Sequence, residues 1–352
     1  MPLALHQLAV AGNLDNLQLA IRAAATSASA TSGSGTSASG TSAAAAIPAT
    51  SDSPDLSAPS ATQALPAASA PPAPRSSGVT PPADLGYHGP VFMDSDIYKT
   101  LEAVGWELES ARGQKPPGTQ ESPVNQEPPV NQKPPGAASV SSAQQSALGS
   151  AFEVFAAATI ELLARVQRPD GYLNSYIQAS GGPRYQNLSA SHEMYCDGHF
   201  FQAAVALARG TGDQDAMDIA IRLADHLVKE FAGQSKGLDG HPIVETALVE
   251  LYRETGTAAY RDLAAQFVEQ RGHGLAGDSG FGRRYLQDHL PVRERTTEVG
   301  HAVRALYLEA GVTDVATETN DMQLLDTSGQ RWDDMVATKT SLTGGNGSRH
   351  EG

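Results

Sequence analysis

Gly198-His199-Phe200 begins a stretch that runs to Gly210-Thr211-Gly212, and the chain repeats this pattern twice. The second copy runs from Gly240-His241-Pro242 to Thr255-Gly256, and the third from Gly300-His301-Ala302 to Ala310-Gly311. In each copy apolar residues at helical spacing follow the Gly-His pair, and small residues that stop a helix come last. Copies roughly 40 to 60 residues apart are typical of one helical hairpin per repeat. We therefore predict helical hairpins whose polar helix starts share one cleft.

Helical spacing of apolar residues also occurs between Asp94 and Trp106 and throughout the chain after Ala147. We count about eight helices in this pattern, paired into hairpins. The last two lie around Thr296–Glu309 and Asp321–Lys339, and the glycine-rich stretch Gly272–Gly282 is an irregular excursion. No segment shows the sustained period-two alternation of a strand. The pattern predicts an all-α fold, specifically an incomplete (α/α)6 barrel, because twelve helices would close such a barrel.

Two segments have compositions that cannot build a hydrophobic core. Ala23–Ala83 is almost entirely Ala, Ser, Thr, Gly and Pro, and Gly113–Ser146 is rich in proline, with the near-repeats Pro123–Pro128 and Pro129–Pro134. Segments with so few large apolar residues cannot offset the conformational entropy that ordering costs. We predict that both are disordered, the second as an extended linker with polyproline II character.

Net charge and cysteine content exclude several classes of function. The formal charge is −15 at pH 7, and no cluster of Lys and Arg stands out, which argues against nucleic-acid binding. Cys196 is the only cysteine, so an intramolecular disulfide and a multi-cysteine zinc site within the chain are excluded. The sequence has no apolar run of about 20 residues and no pattern typical of a signal peptide. We therefore expect a cytoplasmic protein that does not bind membranes.

Histidines and carboxylates stand close together near three predicted helix starts: His192-Glu193 with His199, His241 with Glu245, and Glu298 with His301. Residues three or four apart share one face of a helix, so each pair can point in one direction. Parallel inner helices of a barrel begin at the same rim. We therefore expect His192, His241 and His301 to converge within about 15 Å, the length of ten helical residues, and to be partly exposed to a pocket.

Several interpretations of these side chains remain open. They can cap helices or be satisfied in the interior, and His and Glu at i, i+4 can ligate zinc, although the doubled histidine of that motif is absent. Glycoside hydrolysis needs two carboxylates across the scissile bond. The candidates for that pair, which sequence spacing cannot rank, are Glu193, Glu245, Glu298 and Glu351. The aromatic residues suited to sugar stacking, and equally to core packing, are Tyr172, Tyr176, Tyr185 and Tyr195.

Six motifs taken together resemble the β-L-arabinofuranosidase family, glycoside hydrolase family 127. The motifs are Gly12-Asn13-Leu14-Asp15-Asn16-Leu17, Gly86-Tyr87-His88-Gly89 with Val91 to Lys99, Gln167-Arg168-Pro169-Asp170-Gly171-Tyr172-Leu173-Asn174, Ser191-His192-Glu193-Met194-Tyr195-Cys196, Gly300-His301-Ala302-Val303-Arg304, and Thr343-Gly344-Gly345 through His350. The resemblance covers Gly86–Gly352 apart from the proline-rich insert. It implies an (α/α)6 barrel catalytic domain, which the family follows with β-sandwich domains that have no counterpart here.

The resemblance also implies an organisation of the chain. Residues 1–22 correspond to an N-terminal remnant of the catalytic domain, 23–85 to a disordered insert and 86–112 to a barrel helix. Residues 113–146 form a proline-rich linker insert, and residues 147–352 form a glycosidase-like α/α-barrel region that we expect to be truncated at its C-terminus.

By the same resemblance, His192, His241 and His301 line the sugar subsite of the family. The family's acid/base glutamate lies in a Gly-Ser-x-His-x-Gly-Glu motif, whose last Gly corresponds to Gly352. Its zinc-bound cysteine nucleophile and other zinc ligands lie further downstream, and Cys196 is not that nucleophile. We therefore assign no catalytic residue, no metal ligand and no cofactor to this chain, although zinc is expected in the full-length family. We also expect the cleft to lie next to Glu351 and Gly352.

The sequence thus predicts a fragment of a β-L-arabinofuranosidase-like glycosidase that contributes sugar-binding histidines and is inactive as written. Its partner is a carbohydrate, not a nucleic acid or a membrane. One alternative is a sugar epimerase or isomerase on an α/α barrel, in which His192 and His301 move protons. Another is a non-catalytic carbohydrate-binding remnant.

Limited proteolysis tests the predicted disorder. We expect Ala23–Ala83 and Gly113–Ser146 to be cut before any site in the amphipathic segment Asp213–Phe231, because neither low-complexity segment can bury enough apolar surface to hold one conformation. The cut sites are identified by mass spectrometry of the first fragments. Protection of either segment comparable to that of Asp213–Phe231 would contradict the prediction.

Overall fold

A computed structural model describes residues 8, 11–32, 83–112, 142–277 and 279–347. These ranges contain two short 3-10 helices, Ala83–Leu85 and Val292–Glu294, and no β-strand, only an isolated bridge between Thr340 and Asn346. The all-α prediction is confirmed. The α-helices of the described residues are α1 (Asn13–Ser32), α2 (Asp94–Ala111), α3 (Ser142–Val166), α4 (Ser175–Ser180), α5 (Glu193–Thr211), α6 (Asp215–Phe231), α7 (Val244–Thr255), α8 (Ala258–Gln270), α9 (Ala302–Thr319) and α10 (Met322–Thr338).

The helices form two layers. In the inner layer α2, α5, α7 and α9 pack side by side in that order, and each of α5, α7 and α9 forms a hairpin with the helix that follows it. In the outer layer α3 contacts α6, and α6 contacts α8. The apolar pattern of each helix agrees with its layer. The inner helix α5 is buried along most of its length, whereas the outer helix α6 buries one apolar face that includes Leu223, Leu227 and Phe231. None of the described helices is long and apolar enough to cross a membrane.

Glycines allow the inner helices to approach closely. A Cβ atom at Gly105 of α2 would lie 2.5 Å from the backbone carbon of Ala206 in α5. A Cβ at Gly198 of α5 would lie 3.0 Å from the backbone of Val244 at the start of α7. A Cβ at Gly311 of α9 would lie 2.7 Å from the Cβ of Glu245. Every contact between neighbouring inner helices therefore contains at least one glycine that no larger residue replaces without displacement.

The third repeat ends differently from the prediction. Gly212 and Gly256 end α5 and α7 in the left-handed conformation, with φ of 78° and 70°, as predicted for helix stops. Gly311, in contrast, lies inside α9, which begins at Ala302 rather than near Thr296 and continues to Thr319. The prediction of a stop at Gly311 was wrong because this glycine serves close helix packing, and the left-handed residue that ends α9 is Asn320, with φ of 55°.

The first repeat has a different register. Gly198-His199 lies inside α5 rather than at its start, because α5 begins at Glu193 with His192 as the N-cap residue. His301 is likewise the N-cap of α9, and His241 lies three residues before the first residue of α7. The residue that corresponds to His241 and His301 is therefore His192, as predicted for the cluster, and not His199 of the repeated Gly-His pair.

The predicted disordered segments are shorter at three described edges. Helix α1 continues through Ala23 to Ser32, Ala83–Leu85 forms a 3-10 helix, and α3 begins at Ser142 instead of Ala147. Alanine has the highest helix propensity, so the alanine-rich start of the first segment extends a helix that packing has already nucleated. Residues 33–82 and 113–141, where the rest of both predictions falls, lie outside the described residues.

Replacing Gly105 with alanine tests the glycine contacts. We expect Gly105→Ala to lower the free energy of unfolding by about 1–3 kcal/mol, because the new methyl group meets backbone atoms of α5 that cannot rotate away. Gly329→Ala is the matched control: Gly329 lies in the middle of α10 with open space around it, so alanine should raise stability by roughly 0.5–1 kcal/mol through helix propensity. Urea denaturation measures both. Equal stabilisation by the two substitutions would show that the contact imposes no constraint.

Candidate functional site

Three histidines meet at one end of the inner helices. The ring centroids of His192 and His241 are 6.1 Å apart, and those of His241 and His301 are 6.2 Å apart. These separations lie well within the limit expected from the sequence, so the predicted convergence is confirmed. His192 and His301 are partly exposed, and His241 between them is largely buried. We call this group the three-histidine cluster.

Backbone geometry directs His192 into this cluster. Its φ of 55° places it in the left-handed region, which is uncommon for a residue other than glycine. As the N-cap of α5 it makes no side-chain capping hydrogen bond, and its ring instead packs against Phe92 and Tyr195, with centroid distances of 5.0 and 5.5 Å. An uncommon backbone conformation therefore turns the imidazole away from helix capping and toward the other histidines.

The hydrogen bond at Nδ1 of each histidine determines whether its other ring nitrogen, Nε2, is a hydrogen-bond donor or an acceptor. His192 Nδ1 donates to the carbonyl of Ala190 at 2.8 Å, and His241 Nδ1 donates to the carbonyl of Pro242 at 3.1 Å. In these tautomers Nε2 is an acceptor. His301 Nδ1 instead accepts from the backbone N–H of Arg304 at 3.4 Å, so its neutral ring carries the proton on Nε2. In the cluster, Nε2 is thus an acceptor in His192 and His241 and a donor in the neutral form of His301.

Burial keeps two imidazoles of the cluster, those of His192 and His241, uncharged. It lowers the pKa of His192 to about 4, helped by the positive charges of Arg304 and Lys99. It also lowers the pKa of His241 well below the ordinary value, and Arg304 again contributes. At neutral pH both rings are therefore neutral, which suits hydrogen bonding to uncharged hydroxyl groups.

Aromatic side chains surround the histidines. Tyr195 lies 4.5 Å from His241 between ring centroids, Tyr307 lies 5.7 Å from His241, and Tyr285 lies 5.4 Å from His301. Lys99 of α2 donates to the hydroxyl of Tyr195 at 2.6 Å. Of the four tyrosines predicted for sugar stacking only Tyr195 contacts the cluster; the remaining three, Tyr172, Tyr176 and Tyr185, contact one another, Tyr87, His226 or Phe231.

His199 lies behind the cluster, on the same helix as His192. Its ring packs on Tyr195 and Tyr307, with centroid distances of 4.6 and 5.8 Å. Both ring nitrogens are buried without a hydrogen-bond partner, and burial lowers the pKa of His199 to about 3. His199 is thus a neutral histidine that contacts the aromatic lining rather than the other three imidazoles.

The described carboxylates of the predicted acid/base set do not lie with the histidines. Glu193 accepts hydrogen bonds from the Tyr172 hydroxyl at 2.7 Å and from the backbone N–H of Tyr185 at 2.9 Å, so it holds the loop before α5. Glu245 accepts from Arg271 at 3.3 Å and from the backbone N–H of Ile243 at 3.2 Å. Glu351, and with it the expected position of residues 351–352 beside the cleft, lies outside the described residues.

Glu298 belongs to a separate buried charge cluster. Its carboxylate lies 3.0 Å from Nε of Arg331, which also pairs with Glu309, and 3.6 Å from Arg295. Burial raises the pKa of Glu298 to about 8, and the charge of Glu309 adds to the increase while the arginines oppose it. The prediction that histidine–carboxylate pairs share a helix face was wrong, because His241 and His301 precede their helices and the carboxylates bind arginines or backbone amides instead.

The described residues do not fit a zinc site. They contain no group of three or more His, Cys, Asp and Glu side chains placed to hold a metal ion. Cys196 is buried in α5, and burial raises the pKa of its thiol well above the ordinary value, so it is a poor source of the thiolate that zinc prefers.

A cavity of about 630 Å³ lies between α9 and α10. Its lining includes Leu306, Ala310 and Trp332, with Glu298 and Glu309 among the polar residues, but none of the three histidines. It is therefore separate from the three-histidine cluster.

Comparisons with known proteins identify relatives of this chain. Residues 137–352 match the family model of the β-L-arabinofuranosidase GH127 catalytic domain. The chain is 33% identical over 293 residues to the non-reducing end β-L-arabinofuranosidase of Bifidobacterium longum subsp. longum, an alignment that covers 76% of this chain and 39% of that protein. The chain therefore spans well under half the length of this relative.

Solved structures agree. The crystal structure of Ara127N-Se, a GH127 β-L-arabinofuranosidase from Geobacillus stearothermophilus T6, matches with a TM-score of 0.62 and 35% identity over 76% of this chain and 39% of that chain. The GH127 β-arabinofuranosidase BT3674 matches with a TM-score of 0.66 and 25% identity over 99% of this chain and 41% of that chain. The hairpin array is thus of the α/α-barrel type.

The lowered pKa of His192 predicts a pH-dependent stability. Between about pH 6.5 and pH 4 the unfolded chain binds the proton at this residue and the folded protein does not, so stability falls as the pH falls through this window. The free energy of unfolding of the wild type should decrease between pH 7.5 and pH 4.5 by about 2–3 kcal/mol more than that of His192→Asn. Asparagine is the chosen replacement because it tolerates the left-handed backbone. Urea denaturation at both pH values measures this difference. An identical pH dependence of the two proteins would contradict it.

Proposed function

This chain belongs to the β-L-arabinofuranosidase family GH127, and we propose that its three-histidine cluster binds the terminal L-arabinofuranosyl group of a carbohydrate. The observation that carries the proposal is the set of three imidazoles spaced about 6 Å apart with assigned tautomers. A furanose ring presents several hydroxyl groups within such a span, and each hydroxyl donates one hydrogen bond and accepts others. His192 and His241 accept from these hydroxyls, and His301 donates to one.

The electrostatics of the cluster favour a neutral ligand. Burial holds His192 and His241 in their uncharged forms, so binding needs no ion pair and involves no cost of desolvating a charged imidazole. Tyr195 and Tyr307 provide apolar ring surface beside the hydrogen-bonding groups, which is the combination found in sites for small polar ligands. These features support sugar binding by the three histidines of this chain.

The same geometry does not assign catalysis to the described residues. Glycoside hydrolysis requires an acid and a second carboxylate or other nucleophile at the scissile bond. Glu193, Glu245 and Glu298 are all held by arginines, hydroxyls or backbone amides away from the cluster. We propose binding, without turnover, as the function of this part of the chain, and we assign the zinc–cysteine chemistry expected of the family to none of its described residues.

The alternatives have less support. Family membership does not favour an epimerase, and His192, with a pKa of about 4, is rarely protonated at neutral pH and so is a poor general acid. A non-catalytic carbohydrate-binding protein would bind the sugar in the same way, and it differs only in that no hydrolysis follows. A cytoplasmic location stays a prediction of the sequence.

Titration with methyl β-L-arabinofuranoside tests the proposal. We expect saturable binding by the purified chain and an approximately tenfold or greater loss of affinity for each of His192→Ala, His241→Ala and His301→Ala, because each removes a hydrogen bond from a desolvated site. His273→Ala, which removes an exposed histidine elsewhere, is the control and should bind as the wild type does. Isothermal titration calorimetry or ligand-observed NMR measures these affinities.

Two outcomes would overturn parts of the proposal. Equal affinities for the wild type and all three cluster variants would remove the histidines from the binding site. Hydrolysis of p-nitrophenyl β-L-arabinofuranoside by the purified chain with added zinc would show that it catalyses turnover as well as binding.

A further inference from the structure

Helix α5 begins without a cap of its own. The first backbone N–H groups of a helix have no partner within the helix and need an acceptor from elsewhere. An N-cap side chain usually supplies it. His192 occupies that position, but its Nδ1 is bound to the carbonyl of Ala190 and its ring packs in the cluster. The acceptor for this helix start must therefore come from another part of the chain.

The acceptor is Asp239, on the loop before α7. One oxygen of its carboxylate accepts from the backbone N–H of Tyr195, the third residue of α5, at 3.3 Å. The other oxygen accepts from the backbone N–H of His241 at 2.8 Å. Asp239 is 2% exposed, so both bonds lie in the interior. A single carboxylate thus bridges the helix start that carries His192 and the turn that carries His241.

Two arginines hold this turn in place. The backbone carbonyl of Asp239 accepts from Arg271 at 3.0 Å, and that of Gly240 accepts from Arg304 at 2.6 Å. Arg271 follows α8 and Arg304 lies in α9, so the turn is bound from two further helices. Both arginines are buried, and their hydrogen bonds restrict the backbone that carries the carboxylate.

We infer that Asp239 is a positioning residue for sugar recognition: it fixes His192 relative to His241 so that both Nε2 atoms face the same ligand. The identity of the ligand rests on the proposed function, but the claim that Asp239 fixes His192 relative to His241 does not. Without the carboxylate, the start of α5 and the turn before α7 lose their shared acceptor. His192, whose backbone is in an uncommon conformation, is then free to leave the cluster.

The test compares Asp239→Asn with Asp288→Asn. Asp288 is the matched control, because its carboxylate is also fully buried and also accepts two backbone N–H bonds, from Gly272 and Ala276, but it contacts neither His192 nor His241. Both substitutions keep the shape of the side chain and replace one acceptor with an amide donor. We expect the imidazole 15N signals of His192 and His241 to shift only in Asp239→Asn, with at least a tenfold loss of affinity for methyl β-L-arabinofuranoside.

Each outcome decides one question. Imidazole signals that move no more in Asp239→Asn than in Asp288→Asn would overturn the positioning role, whether or not the wild type binds the arabinofuranoside. Shifted imidazole signals in a protein whose wild type does not bind the sugar would support positioning and reject the proposed function. Unchanged affinity in Asp239→Asn, when the wild type binds, would overturn the link to recognition.

A measurement on the wild type covers the case in which Asp239→Asn does not fold. Because Tyr195 and His241 donate to the same carboxylate, their amide proton signals should titrate with one common midpoint as the pH changes. The charged or titratable groups near this carboxylate are Cys196 and Asp197 of α5, the neighbouring His241, Arg271 and Arg304. Amide signals that titrate with separate midpoints, or not at all, would show that the carboxylate does not join the two elements.

Discussion

Close approach of the inner helices is the constraint on which the site depends. The histidines at the starts of α5 and α9 and before α7 share one cluster only because these helices pack directly against one another. Axes of packed helices are typically 8–10 Å apart, and glycines at Gly198 and Gly311 remove the side chains that would stand between them. Imidazole rings that extend from adjacent helix starts then reach centroid distances near 6 Å. Packing deep in the helical layer thus sets the geometry of a site at its rim.

Sequence reasoning succeeded where a signal was local and failed where one residue type serves two purposes. Helix spacing, the stops at Gly212 and Gly256 and the histidines near helix starts all have local signatures. Gly311 does not, because a glycine after an apolar run ends a helix when its φ is positive and allows a close contact when its φ is helical. Only the neighbouring helix distinguishes the two cases. The same ambiguity made Gly198-His199 resemble a helix start, although His192 was itself predicted for the cluster.

The remaining parts of the site depend on contacts between residues far apart in sequence. Lys99 reaches Tyr195 from α2, and Asp239 caps α5 from a loop more than 40 residues later, and no spacing rule relates such positions. The carboxylates show the opposite case, in which residues close in sequence do not interact. Glu245 stands four residues after His241, as a helical pair would, but the helix begins after the histidine and Arg271 takes the carboxylate. Which partner a charged side chain finds is a property of the packed structure.

The pairing of the charged groups around the three-histidine cluster explains why the site suits an uncharged ligand. A buried charge is tolerated only when it is paired, because an isolated one loses its hydration without compensation. Glu245 and Glu298 are paired with arginines away from the cluster, and the carboxylate of Asp239, which lies beside the cluster, accepts from the backbone N–H groups of Tyr195 and His241 rather than from an imidazole. The charges that act on His192, those of Arg304 and Lys99, are positive and oppose its protonation further. The imidazoles of His192 and His241 are therefore neutral, with Nε2 as a hydrogen-bond acceptor, and hydroxyl groups are ligands that match them.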